Sequence, residues 1–245
     1  MWFITAGFHR YFAHRAFRTS RAFQFVLAFG GGAAAQKSAL WWAANHRDHH
    51  RYTDTARDPH TPGKGFLWSH VGWVLSGKYN AAELVRIDDF ARYPELLFLH
   101  RQQWIAPWTA AVAAFLIGGW SGLVVGFFGS TVLLWHATFS VNSIGHIFGR
   151  RRYATADTSR NNALVAALTL GEGWHNNHHH FPASARNGFF WYELDLTYLG
   201  LRALAALRVV RDLRLPSATA LAARRVDAPA VEAALAPVAV AALDA

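Results

Sequence analysis

The chain has 245 residues, a length that fits one domain, and is 53% hydrophobic with 11 Trp and 18 Phe. It has no Cys, which excludes disulfides and thiolate metal sites. Its 24 Lys+Arg against 15 Asp+Glu give a net charge of +9. No basic aromatic strand or groove-reading helix accompanies that charge, so nucleic acid ranks low as a partner, and an anionic membrane face, a phosphate-bearing substrate or an acidic electron-transfer protein fits better.

In chain order, the first chemical feature is HRYFAH, with His9 and His14 five residues apart. Five residues are about 140° on an ideal α-helix, so the two imidazoles should converge only where a helix ends or bends. Residues 22–44 are apolar but carry Gln36, Lys37 and Ser38, and Gly30, Gly31 and Gly32 loosen any helix. A lysine near the middle argues against a lipid-exposed span. The segment reads as one buried or amphipathic helix running into HRDHH, where His46, His49 and His50 share a helical stripe. A polar segment broken by DPHTPGKG then extends to about residue 100.

Two apolar runs, Trp104 to Trp120 and Gly122 to Val141, flank the uncharged turn GGWSG. Each approaches the roughly 17–25 residues of a membrane span, so about 104–147 reads as a hairpin that crosses and returns. Arg86, Arg92 and Arg101 precede it, and Arg150, Arg151 and Arg152 follow it. By the positive-inside rule both flanks, residues 8–100 and 148–215, lie in the cytoplasm. His146 then emerges on the same side as the other clusters. HNNHH repeats the helical stripe with His175, His178 and His179. Residues 189–215 read as one or two amphipathic helices with Arg202, Arg208, Arg211 and Arg214 on the polar side. From residue 216 to 245 the chain is rich in Ala, Val and Pro and reads as a poorly ordered tail. The expected fold is all-α, an integral membrane helical protein whose single domain (1–215) holds its histidines in a cytoplasmic helical cap.

Nine imidazoles are too many for one ion with about four to six positions, and suit two. They are His9, His14, His46, His49, His50, His146, His175, His178 and His179. Neutral imidazole serves iron, zinc, copper or nickel. Ions held only by such donors form an electron-poor centre suited to activating dioxygen. Asp48, Asp54, Glu172 and Asn176 are the polar neighbours expected to fix imidazole tautomers. His60, His70, His100 and His136 read as ordinary core or surface residues.

Taken together, HRYFAH, HRDHH, NSIGH and HNNHH resemble the membrane-bound acyl-CoA desaturases of the stearoyl-CoA (delta-9) type. The likeness continues in TAGFHR, DTARDPHTPGKGFLWSHVGW, VNSIGHIFG and GEGWHNNHHHFP, and covers about Thr5 to Trp191. It implies two iron ions on the nine histidines, with Asn142 holding a water beside them. It also implies that Gln36, Trp42 and Thr138 shape a bend in an acyl tunnel and that Lys64 contacts CoA phosphates. Where that family has an arginine just before the second histidine cluster, this chain has Ala44.

The implied reaction places a cis double bond in the saturated chain of a fatty acyl-CoA or other acyl-lipid, using O2. No dinucleotide loop, flavin motif or cysteine cluster occurs, so a separate ferredoxin, rubredoxin or cytochrome b5 with its reductase should deliver electrons. The basic face favours such an acidic carrier. Two other readings stand beside this one: a hydroxylase of an alkyl lipid using the same centre, and a non-catalytic metal-binding remnant. The second arises because only eight residues precede His9, where the family carries a complete first hairpin. Either the true start lies upstream of Met1, or the chain is shortened and inactive.

Overall fold

The computed structural model describes residues 1–226, and the chain there is mostly helical. Phe3–Ala13 is the central rod, buried along nearly its whole length, and it is wound as a π-helix. The helix ends at Ala13, between His9 and His14 as expected, and its i→i+5 bonding adds to their convergence. The His14 amide donates to the His9 carbonyl at 3.2 Å, so the fifth residue returns to the same side.

Arg21–Gly32 packs on this rod, capped by Ser20, whose hydroxyl accepts from the Phe23 amide. The approach is close because Gly31 has no side chain: a Cβ there would sit 2.2 Å from the Phe8 ring. The single helix expected over 22–44 is in fact two. Ala35 (φ 53°) and Lys37 (φ 63°) are left-handed, and Ser38 then caps the helix Ala39–Tyr52. Lys37 is thereby swung to the surface, where its ammonium donates to the Asn80 side chain at 2.7 Å and lies over Trp41. The break also aims Gln36 inward.

Ile105–Ile147 has a mean hydropathy of 2.0 and is long and apolar enough to cross a membrane. Gly119 (φ 57°) interrupts it, and the chain reverses there inside GGWSG. The arms touch so closely that a Cβ on Gly122 would lie 2.1 Å from the Ala114 carbonyl oxygen. Leu116, Ile117, Trp120, Val125 and Leu133 project outward, and only 6% of the apolar window is buried. Such a face has no driving force to stay in water.

Between residues 189 and 215 one helix forms, Leu196–Ala206, with Leu201 fully buried and Asp195 as its cap. Arg208, Arg211 and Arg214 lie beyond it, and Val210–Arg211 pairs antiparallel with Arg18–Thr19. This two-stranded clip is the one β-sheet among the described residues, beside isolated bridges such as Arg150–Asn161. The expected tail begins too early: Ala218–Ala222 is helical, and Tyr153 bridges to Arg225. The remainder of that expectation, residues 227–245, lies outside the described residues.

Candidate metal centre

The rod, the Ala39–Tyr52 helix, the end of the hairpin and the short helix His175–His180 converge on one buried cluster of imidazoles. All nine expected histidines are there, and they divide into two groups. His9, His14, His46, His50 and His178 form one; His49, His146, His175 and His179 form the other. Within each group the facing nitrogens lie within 4.8 Å of one another.

Neither HxxHH motif serves a single group. HRDHH sends His46 and His50 to the five-imidazole group and His49 to the other, and HNNHH divides His178 from His175 and His179. Neighbouring helical residues point about 100° apart, so His49 and His50, or His178 and His179, cannot both aim at one ion.

The donor set fits metal ions. Around the first group, Nε2 atoms face one another in a chain, His9–His178 at 3.1 Å, His178–His50 at 2.9 Å, His50–His46 at 3.1 Å and His46–His14 at 2.9 Å. In the second, His175 and His146 face at 3.0 Å and His49 and His179 at 3.4 Å. Several Nδ1 atoms meet carboxylates instead. His49 lies 3.0 Å from Asp58, His179 3.0 Å from Asp157, His146 3.4 Å from Asp54, and His9 2.5 Å from Glu172. A proton held on Nδ1 leaves the Nε2 lone pair facing other lone pairs, an arrangement that a cation stabilises.

Burial, reinforced by neighbouring imidazoles, pushes His14, His46, His49, His50, His175 and His178 well below the ordinary histidine range. Burial also lowers His179, against the opposing pull of Asp157. These imidazoles are therefore neutral and free to coordinate.

A pH prediction follows. Below about pH 6.5 the unfolded chain takes up protons on these residues that the folded metal-free protein does not. Stability is therefore complete above pH 6.5 and falls as pH drops, by about 1.4 kcal/mol per pH unit for each imidazole titrating only when unfolded. Thermal melts of chelator-treated protein should show a falling Tm from pH 7.5 to pH 5; a flat or rising Tm would contradict the burial of neutral imidazoles.

Two of the four expected polar neighbours touch imidazoles, Glu172 and Asp54. Asp48 instead pairs with Arg86 at 3.0 Å, and Asn176 accepts from the amides of Arg152 and Tyr153. Asp58 and Asp157 were missed. Asp58 had a usable signal in DPH, nine residues beyond His49, whereas Asp157 is brought to His179 only by the chain's return after the hairpin. His60 is more than an ordinary core residue: its ring lies 4.2 Å from that of His49, and both approach Asp58. His70 and His136 meet at 3.0 Å outside the cluster, and His100 bonds Ser38.

Behind His9 lies a buried ionic network. Arg10, 1% exposed, donates to Glu172 at 2.8 and 3.1 Å, to Asp195 at 3.0 Å and to the Ala185 carbonyl at 2.7 Å. Burial alone would raise the Glu172 carboxyl, but Arg10 and His9 more than offset that and hold it at about 2.

Beside the imidazoles lie two apolar lobes that share wall residues. One lobe, about 140 Å³, is walled by Trp41, Trp73, Trp135 and Phe139 and reaches His46 and Asn142. The second is lined by Ile4, Val141, Thr169, His9 and His175. Trp42, His46 and Thr138 border both lobes. At that junction the Trp42 indole donates to Gln36 at 3.3 Å, and the Gln36 amide donates to Thr138 at 3.1 Å. Asn142 lines the cavity rather than joining either imidazole group, and Lys64 stands at the surface with its ammonium 4.7 Å from the Trp68 ring.

Residues 1–213 match the profile of a family described as fatty acid desaturase. The chain belongs to the fatty acid desaturase family. It is similar to a probable chloroplastic lipid desaturase of Arabidopsis thaliana, 39% identical over 219 residues, covering 88% of this chain and 61% of that one. An sn-1 stearoyl-lipid 9-desaturase of Anabaena variabilis is 40% identical over 213 residues, covering 86% and 78%. An acyl-CoA C20 delta-5 desaturase of Anemone leveillei is 38% identical over 222 residues, covering 87% and 69%. The chain spans about three fifths of the length of that Arabidopsis relative, 61%, and of a chloroplastic palmitoyl-monogalactosyldiacylglycerol delta-7 desaturase of the same species, 58%. Two paired imidazole groups beside an apolar cavity suit such a desaturase.

Proposed function

We propose that this protein is an oxygen-dependent fatty acyl desaturase that introduces a cis double bond, at the delta-9 position, into a saturated acyl chain. The observation that carries the reading is the juxtaposition of two imidazole groups with two apolar lobes that share wall residues. The nine histidines would hold two iron ions, with Asn142 placing a water beside them. Iron is favoured over zinc because the reaction needs a change of redox state, which zinc lacks. When bound, the ions supply the reductive activation of dioxygen that lets hydrogen leave an unactivated methylene.

The chain's own residues provide position. Successive methylenes of an alkyl chain are electronically alike, so only the wall can select one. Trp42 stands at the bend and is fixed by its bond to Gln36, which Thr138 holds in turn. A saturated chain threaded from one lobe into the other would turn at that point beside His46, with the aromatic wall excluding water. The carboxylates keep imidazole Nδ1 atoms protonated and Nε2 atoms aimed at the ions.

The acyl carrier is bound outside the cavity. A groove continuous with it at Asn45 holds Asp48 and Glu83 as well as Arg57, Lys78 and Arg86, and its wall includes Ala44. Arg86 is already paired with both Asp48 and Glu83. Three cations against two carboxylates leave the groove net positive, which suits a phosphate-bearing carrier, either acyl-CoA or an anionic glycerolipid. Under a CoA carrier, Lys64 would be the phosphate contact.

Residues 1–215 act as the catalytic domain, with the hairpin of about 104–147 in the membrane and the centre facing the cytoplasm, as the flanking arginines favour. Electrons come from a separate ferredoxin, rubredoxin or cytochrome b5 with its reductase, drawn to the basic face.

Expression in a desaturase-deficient host, with total lipids analysed by gas chromatography and mass spectrometry, tests the function. The expected product is a cis-9 monoene, formed only with oxygen. A hydroxylated product without alkene would assign the centre to hydroxylation, and no product with a competent reductase system would leave a metal-binding remnant.

A further inference from the structure

The two imidazole groups differ in the charge around them. Three carboxylates bear on the group of four: Asp58 on His49, Asp157 on His179 and Asp54 on His146. Asp58 is completely buried, and each of its oxygens lies 3.0 Å from His49 Nδ1. The group of five meets one carboxylate among the described residues, Glu172, whose charge is partly offset by Arg10, a cation it shares with Asp195. Arg47, on the same helix as His46 and His50, is spent on Asp89 at 2.8 Å and brings no net negative charge to this side.

Resting on the two-ion reading above, we propose that the His49, His146, His175 and His179 group fills first and holds its ion more tightly, with Asp54, Asp58 and Asp157 as its positioning residues. A carboxylate accepting the Nδ1 proton makes the imidazole a stronger donor and lends negative charge to a dication a few ångströms beyond. Two such acceptors, Asp58 and Asp157, act on one ion with the Asp54 carboxylate 3.4 Å from His146 beside them, against Glu172, partly offset by Arg10, on the other. Five imidazoles against four work in the opposite direction, but a coordinating imidazole donates a lone pair without bringing net charge. The charge difference decides the order, because it acts across a buried medium of low dielectric constant.

Calorimetric titration of the chelator-stripped full-length chain with zinc, a redox-silent probe, tests this at constant pH. Two classes of site should resolve, with affinities at least about tenfold apart. His49→Ala should remove the tighter class and His14→Ala the weaker. Asp157→Asn should weaken only the tighter class by about 10–100-fold, and Glu172→Gln only the weaker. Asp58→Asn should match Asp157→Asn; because Asp58 is fully buried and its change also puts folding at risk, the partly exposed Asp157 gives the decisive variant. A single class of two equal sites, or Asp157→Asn weakening the class that His14→Ala removes, overturns the order while leaving two ions in place. Uptake of fewer than two ions by the unsubstituted chain overturns the two-ion reading and the order with it.

Discussion

Replacing His178 or His49 with alanine is expected to abolish desaturation and to lower bound metal from about two ions per chain to about one. Each residue is the member of its motif that crosses to the other group: His178 joins the five and His49 the four. His178 lies 3.1 Å from His9 and 2.9 Å from His50, so its loss opens the middle of the first group. His49 sits between Asp58 and His179, and its loss also strands a fully buried carboxylate. Groups that act as a unit fail together, so either single variant should cost about as much as the pair. Metal analysis after growth in iron-rich medium, beside product analysis, checks this. Full activity in either variant would overturn the ligand assignment, and unchanged metal with lost activity would move the residue to another role.

Arg10→Ala is expected to lower stability more than any single imidazole change. The guanidinium is fully buried and supplies donors to Glu172, Asp195 and a main-chain carbonyl. Its removal leaves two buried carboxylates facing one cavity without a cation. Breaking a buried pair from one side costs about 3–5 kcal/mol, a large share of a typical domain's net stability. The damage also reaches the centre: Glu172 would no longer be held ionised near 2, and its grip on His9 Nδ1 would weaken. Detergent-solubilised protein should melt well below the unsubstituted chain or fail to accumulate. Arg10→Lys keeps the charge but not the forked geometry, and should fall between the two. An Arg10→Ala protein with unchanged Tm and metal content would show the network to be ornamental.

Much of this was legible in the residue pattern, because the signals were local. HxxHH spacing states how many imidazoles a helix offers to one side, and the absence of cysteine leaves them as the metal donors. The break at Gly30–Gly32 and Lys37 was visible as a disturbance, yet its outcome was read as one loosened helix. The sequence shows that a lysine interrupts an apolar run, but not that left-handed residues at Ala35 and Lys37 turn it to the surface. The π-winding of Phe3–Ala13 was likewise hidden, since an α-helical period makes His9 and His14 diverge. The reversal at Gly119 falls within the uncharged turn between the two apolar runs.

The sequence by itself determined the donor inventory and the apolar hairpin, since each depends on side-chain type and short-range spacing, whereas Gln36, Trp42 and Thr138 were implied only by the family resemblance. Tertiary structure alone decided which imidazole belongs to which group and which carboxylate stands behind it. Asp157 reaches His179 across 22 positions, His178 reaches His9 across 169, and Arg10 reaches Asp195 across 185. Contacts between residues so far apart depend on how helices cross rather than on the period within any one of them. The charge difference between the two groups is therefore a property of the packed chain.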